Sequence, residues 1–304
     1  MKVTFICHSG YCIELEDCVL LFDYCQGEIP DIPGKRWYVF VSHFHQDHFN
    51  PVIAELCEKY ETVWYILSDE IRHHRREDLK KIFEKKGMGS ASGCLNDRVA
   101  GGLSRIGIYV KPRERYEIGN LIVHTFRSTD EGCAFLVQHG DQLIYHAGDL
   151  NWWHWDGDPK VENDRREREY KEEIARVKEA CLKLVKEQWD RKNRPVPSQE
   201  GILMADVLAE AEADVRWAAE VESGRIREEC MIDAAMMLLD PRQKDAYRWA
   251  MDYMIAELAV RHVFPMHMWR RYKLSEEYAA SLEDPAQKEA FHPVHHEGES
   301  WEID

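Results

Sequence analysis

The sequence predicts an α/β chain, and three observations carry that reading. Short apolar segments of strand character crowd the first 150 residues, helical spacing takes over from about residue 163, and further apolar runs of strand type return near the end. The early segments VTFIC, CVLLFD, WYVFVS, TVWYIL, IGIYV, LIVHTF, CAFLVQ and QLIYHA are separated by Gly, Asn, Asp and Pro turns, as strands are. Between two of them, DEIRHHRREDLKKIFEKKG is charged and reads as helix. The stretch GMGSASGCLNDRVAGG, residues 87–102, reads as a small-residue loop. Tyr170, Ile174, Val177, Cys181, Leu184 and Trp189 then keep a mostly three-to-four spacing, which predicts an amphipathic helix. A strongly charged helical insertion follows at about 186–229, broken near Pro195 and Pro197, and its composition is that of a solvated insert. MIDAAMMLLD reads as a buried strand, DPRQKDAYRWAMDYMIAELAV as a helix starting at a proline, and RHVFPMHMW as a strand running into a loop.

Composition narrows the classes of function. A chain of 304 residues can bury a substantial core, and residues 1–304 are expected to form one domain carrying the helical insertion. Hydrophobic content of 44% and aromatic content of 11% fit a globular protein. The longest apolar runs are strand-length, so no membrane span is expected. MKVTFICHSGYCIEL enters strand-like alternation directly, without an apolar leader, and the expected location is the cytoplasm. A formal net charge of −16 argues against general binding to nucleic-acid phosphates. A small-molecule substrate is the expected partner, and the sequence is compatible with a homo-oligomer. Nine cysteines lie scattered with no C-x-x-C pair, which suits buried residues in a reducing compartment better than disulfides or a zinc knuckle.

The chemistry concentrates in HFHQDH, directly after the apolar run WYVFV. His43, His45, Asp47 and His48 come at i, i+2, i+4 and i+5, a spacing for a loop closing on itself. Imidazole and carboxylate are ligands that zinc and similar divalent ions accept, usually three or four per ion. Such an ion lowers the pKa of bound water to about 7. Four ligands shared by two ions complete neither, so others must come from elsewhere. Asp149, after the strand in IYHAGDLN, and His267, in VFPMHMW, both follow apolar strands, where functional loops gather.

HFHQDH, then HAGD, then PMH, on a strand-rich chain, resembles the metallo-β-lactamase superfamily of metal-dependent hydrolases over residues 1 to about 275, the helical excursion apart. The opening ICHSGYCIELEDCVLLFD together with the motif looks most like the ascorbate-6-phosphate lactonase-like branch. The resemblance implies a four-layer αββα sandwich with two metals at one edge of the paired sheets. It implies that His43 and His45 hold one ion, Asp47, His48 and His267 the other, with Asp149 bridging. Asp23 matches the aspartate that supports the histidine loop. In most members a third histidine of the first site comes from the connection that here reads RSTDEG. Ser128, Thr129 and Asp130 are what this chain offers there, and Asp130, a hydroxyl or water are the alternatives for completing that site.

Other residues have a structural reading beside a functional one. His8, in CHSGY, matches a position that approaches the metals in the lactonase-like branch. His124 and His146 lie inside strands and read as structural. Trp152 and Trp153 follow Asp149 closely enough to wall a pocket, with core packing as the alternative. Arg242, in LDPR, could hold a substrate carboxylate or phosphate, or simply begin a helix. His292, His295 and His296 belong to a C-terminal tail. The expected activity is hydrolysis of a small-molecule ester, lactone or phosphoester by a metal-activated hydroxide, with Asp47 and Asp149 as the catalytic carboxylates. The expected cofactor is two Zn²⁺, with Mn²⁺, Ni²⁺ or Fe as alternatives. A ribonuclease Z-type phosphodiesterase, an iron-dependent oxidoreductase and a non-catalytic metal protein are the competing readings.

Overall fold

Alternation in the early strands decides the layering. In RWYVFV, Tyr38 and Phe40 join one apolar core while Trp37, Val39 and Val41 join another on the opposite face. A strand buried on both faces belongs inside a sheet that is covered on both sides. The computed structural model describes residues 1–83, 89–92, 105–194, 204–223 and 231–304.

The described strands, in chain order, are β1 (Lys2–Cys7), β2 (Gly10–Glu14), β3 (Cys18–Phe22), β4 (Arg36–Val41), β5 (Val63–Ser68), β6 (Gly89–Ser92), β7 (Arg105–Val110), β8 (Arg115–Ile118), β9 (Leu121–Arg127), β10 (Cys133–His139), β11 (Gln142–His146), β12 (Met231–Leu238), β13 (Ala259–Met266) and β14 (Ser300–Glu302). They form one sheet of order β14-β1-β2-β3-β4-β5-β7-β6 and another of order β13-β12-β11-β10-β9-β8. Pairing in the first sheet is antiparallel from β14 to β3 and parallel from β3 onward. In the second, β11, β12 and β13 run parallel and the rest antiparallel. Pro265 is tolerated within β13 because that strand is an edge of its sheet.

The inner faces of the two sheets share one core, in which Phe22, Phe40 and Phe135 meet across the interface. The helices are α1 (Leu56–Lys59), α2 (Ile71–His74), α3 (Arg76–Phe83), α4 (Lys160–Asn193), α5 (Met204–Glu222), α6 (Trp249–Glu257), α7 (Lys273–Ser281) and α8 (Pro285–Ala290). Ile71 of α2 and Leu79 of α3 join the core on the outer face of the first sheet. Helices α4 and α6 join the other core; of the predicted stripe Tyr170, Ile174, Val177, Cys181 and Leu184 bury there together with Ala180, whereas Trp189 packs against Trp217 of α5. The order is helix, sheet, sheet, helix, the αββα sandwich expected.

The structure differs from the sequence reading in several places. The stretch read as a loop at 87–102 contains β6, paired parallel to β7, and its remaining residues 87–88 and 93–102 lie outside the described residues. Residues 186–193 of the expected insertion continue α4 without a break, and α5 makes a further part of it. Pro195 and Pro197 lie outside the described residues. The helix read from Asp240 is a 3₁₀ stretch, Pro241–Arg248, with a non-helical Lys244, followed by α6. The C-terminal tail packs down: β14 pairs with β1, and His292 stacks on Phe264 at 4.7 Å. No described helix is long and apolar enough to cross a membrane.

Candidate metal centre

The strand ends at one edge of the sandwich carry the candidate residues. Asp23 follows β3, HFHQDH follows β4, His8 sits in the β1–β2 turn, Asp149 follows β11 and His267 follows β13. His8, Asp23 and His267 have positive φ of 55°, 41° and 63°, a conformation uncommon outside glycine that tends to gather at functional sites. The backbone N–H of His267 donates to the carbonyl of His8 at 2.9 Å, joining two of these loops.

Asp23 organises the histidine loop from behind. Fully buried, it accepts hydrogen bonds from Ser42 N at 2.7 Å and Ser42 Oγ at 2.6 Å, and lies 2.8 Å from His48 Nδ1. The Ser42 hydroxyl, its proton given to Asp23, sits 2.9 Å from His43 Nδ1 and can accept from it. Across the site, Asp240 lies 3.0 Å from His267 Nδ1. In each of the three rings Nδ1 is engaged, which turns Nε2 toward the centre.

What those nitrogens meet is one another and a shared carboxylate. His48 Nε2 and His267 Nε2 lie 3.2 and 3.4 Å from Asp149 Oδ1, and His43 Nε2 lies 3.7 Å from Asp149 Oδ2. His48 Nε2, His267 Nε2, His8 Nε2 and Asp149 Oδ1 are buried atoms without an aligned hydrogen-bond partner. Buried polar atoms left unsatisfied are costly, and bound cations are one way to satisfy them. Three groupings bring ligand atoms within 4.8 Å of one another: His8, Asp47, His48 and His267; His43, His48 and Asp149; and His45, Asp130 and Asp149. This donor set is of the kind that holds divalent metal.

Electrostatics follow from that crowding. Burial disfavours the Asp149 carboxylate, yet His48 and His267 outweigh it and hold its pKa well below the ordinary value. Burial likewise opposes charge on His48, but Asp149 and Asp23 raise its pKa well above the usual imidazole value. Burial pushes His43 down to about 3. Asp47 is lowered against its own burial by the approach of the His8 ring and by the charge of His48. Burial and the neighbouring Asp149 raise Asp130. Alone, the carboxylates draw a proton onto His48; a bound cation would take that proton's place, and binding would release it.

The connection lacking the usual histidine places Asp130 beside His45. Ser128 Oγ accepts from Asp130 N at 3.1 Å, and the Thr129 hydroxyl donates to Asn151 O at 2.6 Å, so both hydroxyls hold the loop. Gly132 is required there: a Cβ on it would fall 1.9 Å from Ser42 O, at φ 70°. His146 is a structural bolt, its Nδ1 accepting from Gly148 N at 3.1 Å and its Nε2 2.8 Å from Ser9 O. His124 belongs to none of the groupings among the described residues.

Trp152, Trp153 and Arg242 each have two readings open from the sequence, and their contacts bear on them. Trp152 turns away from the centre and packs against Tyr170, Trp249 and Tyr253, because the helical layer offers it an apolar seat. Trp153 does face the site, its ring 6.1 Å from that of His267 and stacked on Trp155. Arg242 has a carboxylate partner within its own loop. Its guanidinium is engaged by Asp240 and lies against the rings of Trp153, Trp155 and Trp269. Asp240 is the residue that sequence reasoning missed. Its side chain caps the 3₁₀ stretch by accepting from Arg242 N at 2.8 Å, and its pKa falls to about 2 because His267 and Arg242 outweigh its burial. An Asp before Pro signals a cap, and that signal hid the second use.

Comparison with known proteins agrees with this architecture. No family profile matches the chain. A UPF0173 metal-dependent hydrolase from Desulforamulus reducens is 26% identical over 162 residues, 49% of this chain and 62% of that protein, so the match spans less than two thirds of the relative. Igni18, a metallo hydrolase from the archaeon Ignicoccus hospitalis, superposes with a TM-score of 0.51 at 12% identity, covering 100% of this chain and 99% of its own. A protein from Veillonella parvula described as a possible metal-dependent hydrolase gives a TM-score of 0.50 at 10% identity, with 100% and 99% covered. The chain therefore has the metallo-β-lactamase fold.

Proposed function

We propose that this chain is a metal-dependent hydrolase of small-molecule esters, lactones or phosphoesters. The observation that carries the reading is the convergence of four buried, unpartnered polar atoms from His8, His48, Asp149 and His267 at the sandwich edge. His43, His45, Asp130 and Asp149 would hold one ion, and Asp47, His48, His267 and the shared Asp149 the other, with His8 beside the second. Bound there, divalent ions supply Lewis-acid polarisation of a substrate oxygen and a water acidified to a pKa of about 7.

The chain's own residues do the rest. Asp23 and Asp240 fix the tautomers of His48 and His267, keeping Nε2 forward. Asp47, ionised and one-third exposed, lies 3.3 Å from His8 Nε2 and is positioned to take a proton at Oδ2 and share it with that ring. Asp149 is held as a carboxylate, the form that can bridge. Within the proposed class, the opening ICHSG and the histidine motif favour lactones, the substrates of the branch they resemble. A nuclease reading is weakened by the formal charge of −16.

Asp130 beside His45 favours a second reading, because added carboxylate suits iron or manganese as well as zinc. One experiment addresses both: elemental analysis of protein purified without added metal, alongside His48→Ala. About two equivalents of zinc or manganese, falling in the variant, support the hydrolase. Iron with visible absorbance moves the reading to oxidoreduction, and metal content indifferent to His48 overturns the ligand assignment.

A further inference from the structure

A cavity of about 350 Å³ opens beside the centre, sharing His8 and Asp47 with it. That volume is within the usual range of small-molecule sites. Whatever fills it touches the proposed reacting atoms. Its walls include Phe5, Met268, Trp269 and Tyr272, with Gln26 and Gln46 also lining it. Trp269 is the most telling of these. It is 44% exposed, unusual for an indole, and it is held at φ 51° with its ring 4.8 Å from that of His8. Such a face is available for stacking.

Charge decides what can stack there. Arg270 is the one cation among the residues lining this cavity, and its Nε donates to Glu297 Oε1 at 3.0 Å. The same carboxylate oxygen accepts from Tyr272 Oη and from the Cys7 thiol, each at 3.2 Å. Arg242, over the Trp269 ring at 4.7 Å, is paired with Asp240. Each guanidinium is already paired with a carboxylate and Asp47 adds a further negative charge to the lining, so the cavity has no net positive charge to draw a phosphate, while the apolar walls and carboxamides suit an uncharged group.

We infer that this cavity binds an uncharged, flat portion of the substrate, an aryl or cyclic group stacked on Trp269, so that the chain acts on neutral esters or lactones and not on phosphoesters. The inference rests on the hydrolase reading for its consequence, but the cavity is built from protein and binds without metal.

Cys25 also lines the cavity and is partly exposed, so it reports occupancy. The experiment is alkylation of Cys25 by iodoacetamide at alkaline pH, because the neighbouring Cys7 and burial hold the Cys25 thiol protonated, followed by peptide mass spectrometry, on as-purified and chelator-treated protein. Naphthalene-2-carboxamide is the neutral probe and phenyl phosphate the anionic one. The expected result is that the carboxamide slows Cys25 alkylation at least about fivefold in both preparations. Trp269→Ala should then weaken that protection about tenfold, and Trp269→Phe, which keeps a flat ring, should restore most of it. Protection that favours phenyl phosphate in the chelator-treated protein, or that is indifferent to Trp269, overturns the inference. Loss of the hydrolase reading through metal analysis leaves the protection result standing, so the two can fail separately.

Discussion

At the scale of single residues, the centre depends on groups that never face the reaction. Asp23 holds both Ser42 and His48, so its removal frees two ligand rings at once. Partners of metal-ligating histidines typically contribute 10–100-fold in affinity, and Asp23→Ala should lower zinc or manganese affinity by about that factor in a chelator competition titration. Unchanged affinity would remove Asp23 from the organising role. Gly132 is a different kind of dependence. Its positive φ and the missing Cβ let the 128–132 connection lie against Ser42, one residue from His43. Gly132→Ala should destabilise the fold by more than about 1 kcal/mol in urea unfolding, the sign set by strain in the native state. Both residues act through Ser42, so the double variant should deviate from additivity.

At the scale of elements, legibility in the sequence tracked how much each segment owed to itself. The eight apolar strands read from the N-terminal half all form, because β-branched and aromatic runs between turn residues carry their own signal. The strands that were missed have little such signal. β8 is RYEI, β14 is SWE and β6 is GSAS, and each is defined by a neighbour it pairs with. The site divides the same way. Four candidate ligands lie within six consecutive residues and announce themselves, and Asp149 and His267 stand at strand ends. Asp240 was hidden because its contact to His267 is tertiary. The tail offers a test at this scale. His292 stacks on Phe264, lies 2.8 Å from His262, and is pushed down to about 4 by burial and by that second ring. An unfolded histidine titrates near 6.5, so between about 6.5 and 4 the detached state binds more protons and stability falls as pH falls. Above that window the contribution is fully present. Hydrogen exchange across residues 291–303 should accelerate on acidification through it, and His292→Gln, which cannot charge, should flatten the response.

At the scale of the whole molecule, the edge that gathers these residues is stable only as far as its charges are resolved. Three imidazoles and a buried carboxylate from four separate loops meet where the two sheets end, and several of their polar atoms lack partners. Those loops follow β1, β4, β11 and β13, which belong to both sheets, so any ion bound between them clamps the sandwich across its interface. A ligand that binds only the folded state stabilises it by about 2.7 kcal/mol at a hundredfold excess over its dissociation constant. For a chain of this size that corresponds to roughly 4 °C in Tm. Adding zinc or manganese to chelator-treated protein should therefore raise Tm by at least that much, with a rise that grows with metal concentration. His267→Ala should abolish most of the rise, since His267 approaches Asp149 from the six-stranded sheet while His48 approaches it from the eight-stranded one. If instead Tm rises equally in the variant, the ion sits on one sheet alone and the clamp does not exist. A full rise in the wild type that is lost on changing either histidine is the signature of an ion whose binding and the docking of the two sheets are one equilibrium.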